Sequence, residues 1–146
     1  MIENSKILYM SEQEVSDSIQ GGKISVCVVG LGRIGLPTAT YFANAGLNTF
    51  GVDIDSELVS GINSKEFPLK DEPGYELIFK NVIKEEKFRA VTNLNEVVPK
   101  SDVILLSLPT PMNKNNIPDY SAITSVGNQL HDLICKGTVI IVESTV

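Results

Sequence analysis

Three glycines and one aspartate have the types and the spacing of a nucleotide-binding arrangement. Residues 30–35 read GLGRIG and match the pattern G-x-G-x-x-G. They follow an apolar, β-branched stretch typical of a buried strand and open a segment with helical spacing. Asp53 ends the next apolar stretch, about 20 residues after Gly32, which is the usual distance from such a loop to a ribose-binding acid. The combination predicts a dinucleotide site.

Each position of this loop has a physical reason for its residue. Gly30 allows a tight turn, Gly32 has no Cβ to obstruct a pyrophosphate, and Gly35 lets the helix pack closely on the sheet. Ile34 begins the helix, whose first N–H groups and partial charge of about +0.5 favour phosphate. Arg33 can either reach the phosphates or pair with a surface acid. We therefore predict that all five residues belong to the cofactor site.

Asp53 bears on which dinucleotide binds. Its carboxylate can accept hydrogen bonds from both ribose hydroxyls of the adenosine half. A 2′-phosphate about 4 Å away would cost on the order of 4 kcal/mol per unit charge at an effective dielectric constant of about 20. No arginine directly follows Asp53 to offset that repulsion, so we expect NAD as the cofactor. Two alternatives to a dinucleotide site remain open for the glycine loop. One is a glycine turn that only packs a helix on a sheet, and the other is the related glycine turn of methyltransferases.

The predicted elements around the loop alternate along the chain. Apolar patterning predicts strands at 23–29, 48–52, 88–92, 103–108 and 138–142. Helices are predicted at 34–45, 57–63 and 75–86, with a helical turn at 94–98. An apolar stripe at 123–134 predicts a further helix that ends near Gly137. This alternation is typical of α/β proteins with right-handed crossovers. It predicts a doubly wound parallel sheet of the Rossmann type, with strand order 3-2-1-4-5 and helices on both faces.

Residues 1–22 precede this pattern and form a predicted N-terminal extension. Ser11 and Glu14 have the spacing of a capping box, and a pair of glycines ends the short amphipathic helix that follows. We therefore divide the chain into this extension at 1–22 and an NAD-binding domain at 23–146.

Composition limits the classes of partner. The 146 residues carry 12 basic and 18 acidic side chains, a net charge of −6, which argues against nucleic acid and anionic membranes. No apolar run approaches the ~18 residues that span a bilayer, and the N-terminus lacks signal-peptide features. We expect a cytoplasmic protein with a small-molecule partner. Two cysteines and one histidine, without metal-ligand spacing, predict neither a disulfide nor a metal site.

Short segments along the chain form an ordered set. They are VGLGRIGLP at 29–37, VDID at 52–55, IN at 62–63, EPG at 72–74, PTP at 109–111, PDYS at 118–121 and ESTV at 143–146. In this order they resemble the nucleotide-sugar 6-dehydrogenases, the UDP-glucose/GDP-mannose dehydrogenase family. The resemblance implies oxidation of the C6 hydroxyl of a nucleotide sugar to a carboxylate, with two NAD used in succession.

The resemblance also implies roles for single residues. Thr110 lies beside the cofactor, Thr145 orients a catalytic water near the nicotinamide, and Glu72 lies on the substrate side. Both threonines follow predicted strands, at the edge where doubly wound sheets bind ligands. A Pro-Thr-Pro segment that merely ends a strand is the alternative for Thr110. Leu58 departs from the family, which often carries a lysine there.

The segments at 109–111 and 118–119 look more like the branch of the family that acts on UDP-N-acetylhexosamines. We therefore favour UDP-N-acetyl-D-mannosamine or UDP-N-acetylglucosamine as the substrate of the parent enzyme. UDP-glucose is the alternative substrate.

The family's cysteine nucleophile, with its lysine and asparagine helpers, falls beyond position 146. Cys27 is predicted to be buried inside a strand, Cys135 lacks a histidine or helix N-terminus to activate it, and His131 is predicted on the surface. We therefore expect the chain to stop before the sixth strand, to bind NAD weakly and to turn over no nucleotide sugar. In the family, dimerisation uses a later central helix, so we expect a monomer from a parent that is a homodimer or larger.

Two other classes of function remain open. One is a stand-alone dinucleotide-binding regulatory module. The other is a different NAD enzyme, such as a 3-hydroxyacyl or 6-phosphogluconate dehydrogenase, although this leaves the segments at 118–119 and 143–146 without a role.

Overall fold

Five parallel strands form one sheet in the computed structural model, which describes residues 7–71 and 74–145. The strands are β1 (Ser25–Val29), β2 (Asn48–Val52), β3 (Phe88–Val91), β4 (Val103–Leu106) and β5 (Val139–Val142). Their spatial order is β3-β2-β1-β4-β5, and every neighbouring pair is parallel. The predicted doubly wound α/β fold and its strand order are therefore confirmed.

The helices of the described residues connect these strands. They are α1 (Glu12–Gln20), α2 (Gly35–Asn44), α3 (Ser56–Asn63), α4 (Tyr75–Lys84) and α5 (Ser121–Leu130). Short 3-10 turns lie at Ile7–Tyr9, Leu94–Glu96 and Val98–Lys100. Among the described helices, none has the length and apolar character needed to cross a membrane.

The central strand β1 is buried on both faces of the sheet. Val26 and Val28 pack into a core beneath α2, α3 and α4. Cys27 and Val29 point the other way, into a second core that contains Val98 and residues of α5. Successive side chains of a strand alternate between faces, so a strand with helices on both sides is apolar along most of its buried length. This confirms the reading of the apolar stretch after Lys23.

Helix α5 is shorter than its apolar stripe predicts. It ends at Leu130 rather than near Gly137. The N–H groups of Leu133 and Ile134 both donate to the Leu130 carbonyl at 3.0 Å, so the chain tightens into a turn. Leu133 still packs against the second core. The apolar spacing thus continues past the helix, because a turn can direct the same side chains to the same surface.

Strand β5 departs from the prediction that helices cover both faces of the sheet. It lies at one edge, paired to β4. Ile140, Ile141 and Val142 are 41%, 45% and 48% exposed. Strand β4 also ends at Leu106, two residues earlier than predicted.

The extension before the sheet begins as predicted. The Ser11 hydroxyl accepts a hydrogen bond from the Glu14 N–H, and the Glu14 carboxylate accepts one from the Ser11 N–H at 2.7 Å. This reciprocal capping box starts α1. Val15 and Ile19 then pack against the first core. The part of the extension at residues 1–6 lies outside the described residues.

Candidate functional site

A cleft of about 1040 Å³ opens at the carboxyl ends of the strands. It lies where the strand order reverses between β1 and β4, the usual ligand position in a doubly wound sheet. Its lining includes seven of the residues singled out from the sequence: Gly30, Gly32, Arg33, Ile34, Asp53, Thr110 and Thr145. Gly35 is buried behind this lining. Glu72 lies outside the described residues.

The glycine loop begins in a left-handed turn. Gly30 has φ +94°, and its N–H donates to the Val52 carbonyl at 2.8 Å. A Cβ at Gly30 would lie 2.3 Å from the Ser107 carbonyl oxygen. An L side chain is excluded here both by backbone conformation and by contact. The turn therefore sits directly against the ends of the neighbouring strands.

The other two glycines have opposite surroundings. A Cβ at Gly35 would lie 1.8 Å from the Gly30 carbonyl oxygen, so α2 starts in direct contact with the loop. A Cβ at Gly32 would meet no described atom within 4 Å. Gly32 thus borders open cleft, where a pyrophosphate can approach the backbone. Among the described residues, no side chain caps the N-terminus of α2, which leaves that end of the helix to a ligand.

Asp53 joins β2 to the glycine loop. Its Oδ2 accepts a hydrogen bond from the Leu31 N–H at 2.9 Å, and its Oδ1 accepts one from the Asp55 N–H at 3.0 Å. Leu31 is 1% exposed and anchors the loop in the first core. The carboxylate is half-buried at the cleft and is held in place by backbone donors. Each carboxylate oxygen can accept more than one hydrogen bond, so both retain capacity for ribose hydroxyls.

Arg33 pairs with an acid, the second of the two possibilities left open by the sequence. Its guanidinium Nη2 donates to Asp71 Oδ2 at 2.6 Å, and the two side chains are 64% and 63% exposed. This hydrogen bond holds the pKa of Asp71 below its usual value. Arg33 also lines the cleft. Exposed pairs of this kind contribute little to stability.

Thr110 and Thr145 reach the cleft from adjacent strands. Thr110 follows β4 and is half-buried, whereas Thr145 follows β5 and is exposed. A hydrogen bond links the segment after β4 to the segment after β5: the Leu108 N–H donates to the Ser144 hydroxyl at 2.8 Å. Parallel neighbouring strands therefore bring together two threonines that are far apart in the sequence.

One wall of the cleft was missed by the sequence reasoning. The face of α5 that lines it carries four residues at helical spacing: Ala122, Ser125, Val126 and Gln129. The segment Thr92, Asn93 and Leu94 after β3 and the carboxylate-bearing Glu143 after β5 also line the cleft. The signal available in the sequence was the pair Ser125 and Gln129, spaced i, i+4 beside the apolar stripe of α5.

The cysteines lie away from the cleft lining. Burial raises the pKa of the Cys27 thiol to about 12, so this thiol stays protonated and unreactive. The Cys135 thiol is half-buried and donates to the Pro99 carbonyl at 3.4 Å. His131 is on the surface with a side chain 85% exposed. Within residues 7–71 and 74–145, no group of three or more metal-ligating side chains comes together.

The sheet, the glycine loop and Asp53 together define a dinucleotide-binding domain of the doubly wound class. The NAD-binding domain of the UDP-glucose/GDP-mannose dehydrogenase family matches residues 24–146. The chain therefore belongs to this family.

Individual relatives agree with the family match. A UDP-N-acetyl-D-mannosamine dehydrogenase of Campylobacter jejuni is 34% identical over 121 residues, 82% of this chain and 28% of the relative. The structure of the UDP-D-ManNAc dehydrogenase of Pyrococcus horikoshii superposes with a TM-score of 0.78 at 31% identity, covering 84% of this chain and 29% of the other. The structure of the GDP-mannose dehydrogenase of Pseudomonas aeruginosa superposes with a TM-score of 0.77 at 27% identity, covering 83% of this chain and 28% of the other. The chain thus spans somewhat over a quarter of the length of these relatives.

Proposed function

We propose that this chain is the cofactor domain of an NAD-dependent nucleotide-sugar 6-dehydrogenase. The observation that carries the proposal is that one cleft combines the glycine loop, the half-buried Asp53 carboxylate and two threonines at the ends of β4 and β5. NAD presents its adenosine ribose, its pyrophosphate and its nicotinamide in that order, and the ends of β2, β1 and β4–β5 offer Asp53, the glycine loop and the two threonines in the same order.

The residues of the cleft fit NAD. The open space at Gly32 and the start of α2, with Ile34 and Arg33 beside it, suit the pyrophosphate. Asp53 suits the adenosine ribose and repels a 2′-phosphate. We assign the nicotinamide end to the side of Thr110 and Thr145. When bound, NAD supplies a hydride acceptor, and the chain's own residues bind and orient it.

For the parent enzyme, we propose oxidation of the C6 hydroxyl of a UDP-N-acetylhexosamine to the uronate, with two NAD used in succession. An N-acetylhexosamine is favoured, because relatives named for UDP-N-acetyl-D-mannosamine and for NDP-N-acetyl-D-galactosaminuronic acid both reach 34% identity whereas the GDP-mannose enzyme reaches 27%. Among these substrates we favour UDP-N-acetyl-D-mannosamine, which several of the similar relatives are named for. UDP-glucose is the second candidate, since the family includes enzymes for it. Glu72 is assigned to the substrate side.

Several properties follow from this assignment. The cysteine nucleophile belongs to a part of the enzyme outside this chain, because Cys27 is buried and neither cysteine lines the cleft. The acidic balance of −6 supports a small-molecule partner rather than nucleic acid or an anionic membrane. We propose that the protein acts in the cytoplasm. We propose that the chain is monomeric and that its parent enzyme is a homodimer or larger.

Calorimetric titration of the chain with NAD and with NADP tests the cofactor assignment. We expect NAD to bind and NADP to bind at least about tenfold more weakly, because a repulsion of even 1.4 kcal/mol gives that ratio. Equal affinities contradict the role of Asp53, and absence of binding contradicts the cofactor assignment.

A turnover assay of the chain with UDP-N-acetyl-D-mannosamine, UDP-N-acetylglucosamine and UDP-glucose tests the placement of the nucleophile. We expect no NADH to form, and turnover by the chain alone contradicts that placement.

A further inference from the structure

The hydroxyl of Ser144 links the two strand ends that carry Thr110 and Thr145. The regular pairing of β4 with β5 ends at Leu106 and Val142. Just past this point, the Leu106 carbonyl accepts hydrogen bonds from the Glu143 N–H at 2.9 Å and the Ser144 N–H at 3.2 Å. The Ser144 Oγ then accepts a hydrogen bond from the Leu108 N–H at 2.8 Å. A side chain thus continues the ladder beyond the backbone pairing.

The position of this contact matters because of the residues that follow Leu108. Pro109 and Pro111 flank Thr110, and neither has a backbone N–H to donate. The Leu108 N–H is therefore the donor that ties the start of this segment to the neighbouring strand. At the far end, the Asp119 N–H donates to the Pro111 carbonyl at 2.8 Å.

Ser144 itself is well placed to be an anchor. It lines the cleft together with Glu143 and Thr145, but it is half-buried whereas these two neighbours are exposed. Its hydroxyl also donates to the Leu106 carbonyl at 3.3 Å, so its single proton and one acceptor site are both used within the fold. Because both hydrogen bonds hold the Ser144 side chain, they also orient the backbone of its neighbours Glu143 and Thr145.

We propose that Ser144 is a positioning residue that sets Thr110 and Thr145 at the nicotinamide end of the cleft through its hydrogen bond to the Leu108 N–H. The proposal rests on the NAD assignment made above. Asp53 and the glycine loop, which hold the adenosine diphosphate half, come from other strands. Loss of the Ser144 hydroxyl should therefore weaken contacts to one half of the cofactor only.

Calorimetry with two ligands, NAD and ADP, separates these halves. In Ser144→Ala we expect NAD affinity to fall about three- to tenfold, the range for one lost hydrogen bond, and ADP affinity to stay within about twofold. Ser144→Thr keeps an acceptor hydroxyl, so this variant should bind NAD with the affinity of the wild-type chain. If the alanine variant does not fold, Ser144→Cys offers a nearly isosteric side chain that accepts poorly and is expected to show the same selective loss.

Thr138→Val is the matched control. Thr138 precedes β5 at its other end, and its hydroxyl donates to the Ser101 carbonyl at 3.4 Å, far from the cleft lining. Removal of the Thr138 hydroxyl should change neither the NAD affinity nor the ADP affinity. Equal losses of NAD and ADP binding in Ser144→Ala, or full NAD affinity, overturn the positioning role while leaving the NAD assignment intact. A wild-type chain that binds neither ligand contradicts the proposed function instead.

Discussion

The Asp53 carboxylate accepts a hydrogen bond from the Leu31 N–H at 2.9 Å, which ties the end of β2 to the glycine loop on β1. The acid proposed to bind the ribose therefore also holds the loop proposed to bind the pyrophosphate. One side chain acts on both halves of the adenosine diphosphate site, so its replacement should affect cofactor binding more than the loss of a ribose contact alone.

Replacement of Asp53 by alanine should lower NAD affinity by about ten- to hundredfold. Hydrogen bonds to a charged group contribute about 1.5–3 kcal/mol each, and a tenfold change corresponds to about 1.4 kcal/mol. Calorimetric titration measures the change. Asp53→Asn keeps an acceptor for the Leu31 N–H but removes the charge, so it should lose less NAD affinity and bind NADP better than the wild type does.

Asp55 provides the control for this series. Its carboxylate accepts from the N–H groups of Glu57 and Leu58 and caps α3. Asp55→Ala should lower the free energy of unfolding by about 0.5–2 kcal/mol and leave NAD affinity within about twofold. A large loss of NAD affinity in Asp55→Ala would mean that the effect of Asp53→Ala is not specific.

The glycines at 32 and 35 should separate binding from stability. Gly35→Ala places a Cβ 1.8 Å from the Gly30 carbonyl oxygen, so the free energy of unfolding should fall by about 1–3 kcal/mol or more. The Cβ of Gly32→Ala would meet no described atom within 4 Å. This variant should leave the free energy of unfolding within about 0.5 kcal/mol of the wild-type value and should weaken NAD binding. Urea denaturation and calorimetry measure the two quantities. A stable Gly35→Ala variant contradicts the observed packing, and unchanged NAD affinity in Gly32→Ala contradicts the pyrophosphate assignment.

The pKa of Asp71 should report its pairing with Arg33. The Arg33 hydrogen bond lowers the pKa of Asp71, so the carboxylate keeps its charge, and the pair persists, as pH falls to that lowered pKa. In Arg33→Ala the pKa of Asp71 should rise towards its usual value, as followed by carboxyl NMR titration. Asp119 is the internal control, because its pKa is lowered mainly by a backbone hydrogen bond from Ser121 and should not move. An unchanged Asp71 pKa would show that the pair does not persist in solution.

The two thiols should react very differently. Burial raises the pKa of Cys27 to about 12, so between pH 8 and 10 Cys27 remains protonated in the folded chain. A disulfide reagent should label Cys135 alone under native conditions and both cysteines after unfolding. Raising the pH within this range should not make Cys27 reactive until the chain unfolds. Cys135→Ser should abolish native labelling; persistent labelling in that variant contradicts the burial of Cys27.

The sequence by itself determined the elements whose causes are local. The glycine loop, its strand and its helix lie within a few residues of one another, and their turn conformation and close packing depend on residue type. The apolar residues 26–29 of β1 and the alternation of strands and helices indicated a central strand that is buried on both faces. The capping box of α1 is local as well, since it joins residues three positions apart. These features indicated the doubly wound class, and the usual strand order of that class then predicted the order of this sheet.

Only the tertiary structure decided contacts between distant segments. Arg33 meets Asp71 across 38 positions, and Leu108 meets Ser144 across 36. The exposure of β5 was likewise absent from the local pattern, and the spacing of Ser125 and Gln129 did not show that this face of α5 lines the cleft. Such contacts depend on the register of neighbouring strands and on the path of the segments that follow them, and neither is encoded in the spacing of residues along one segment. The loop and acid that suit NAD were therefore predictable, whereas the ties that hold them in place required the fold.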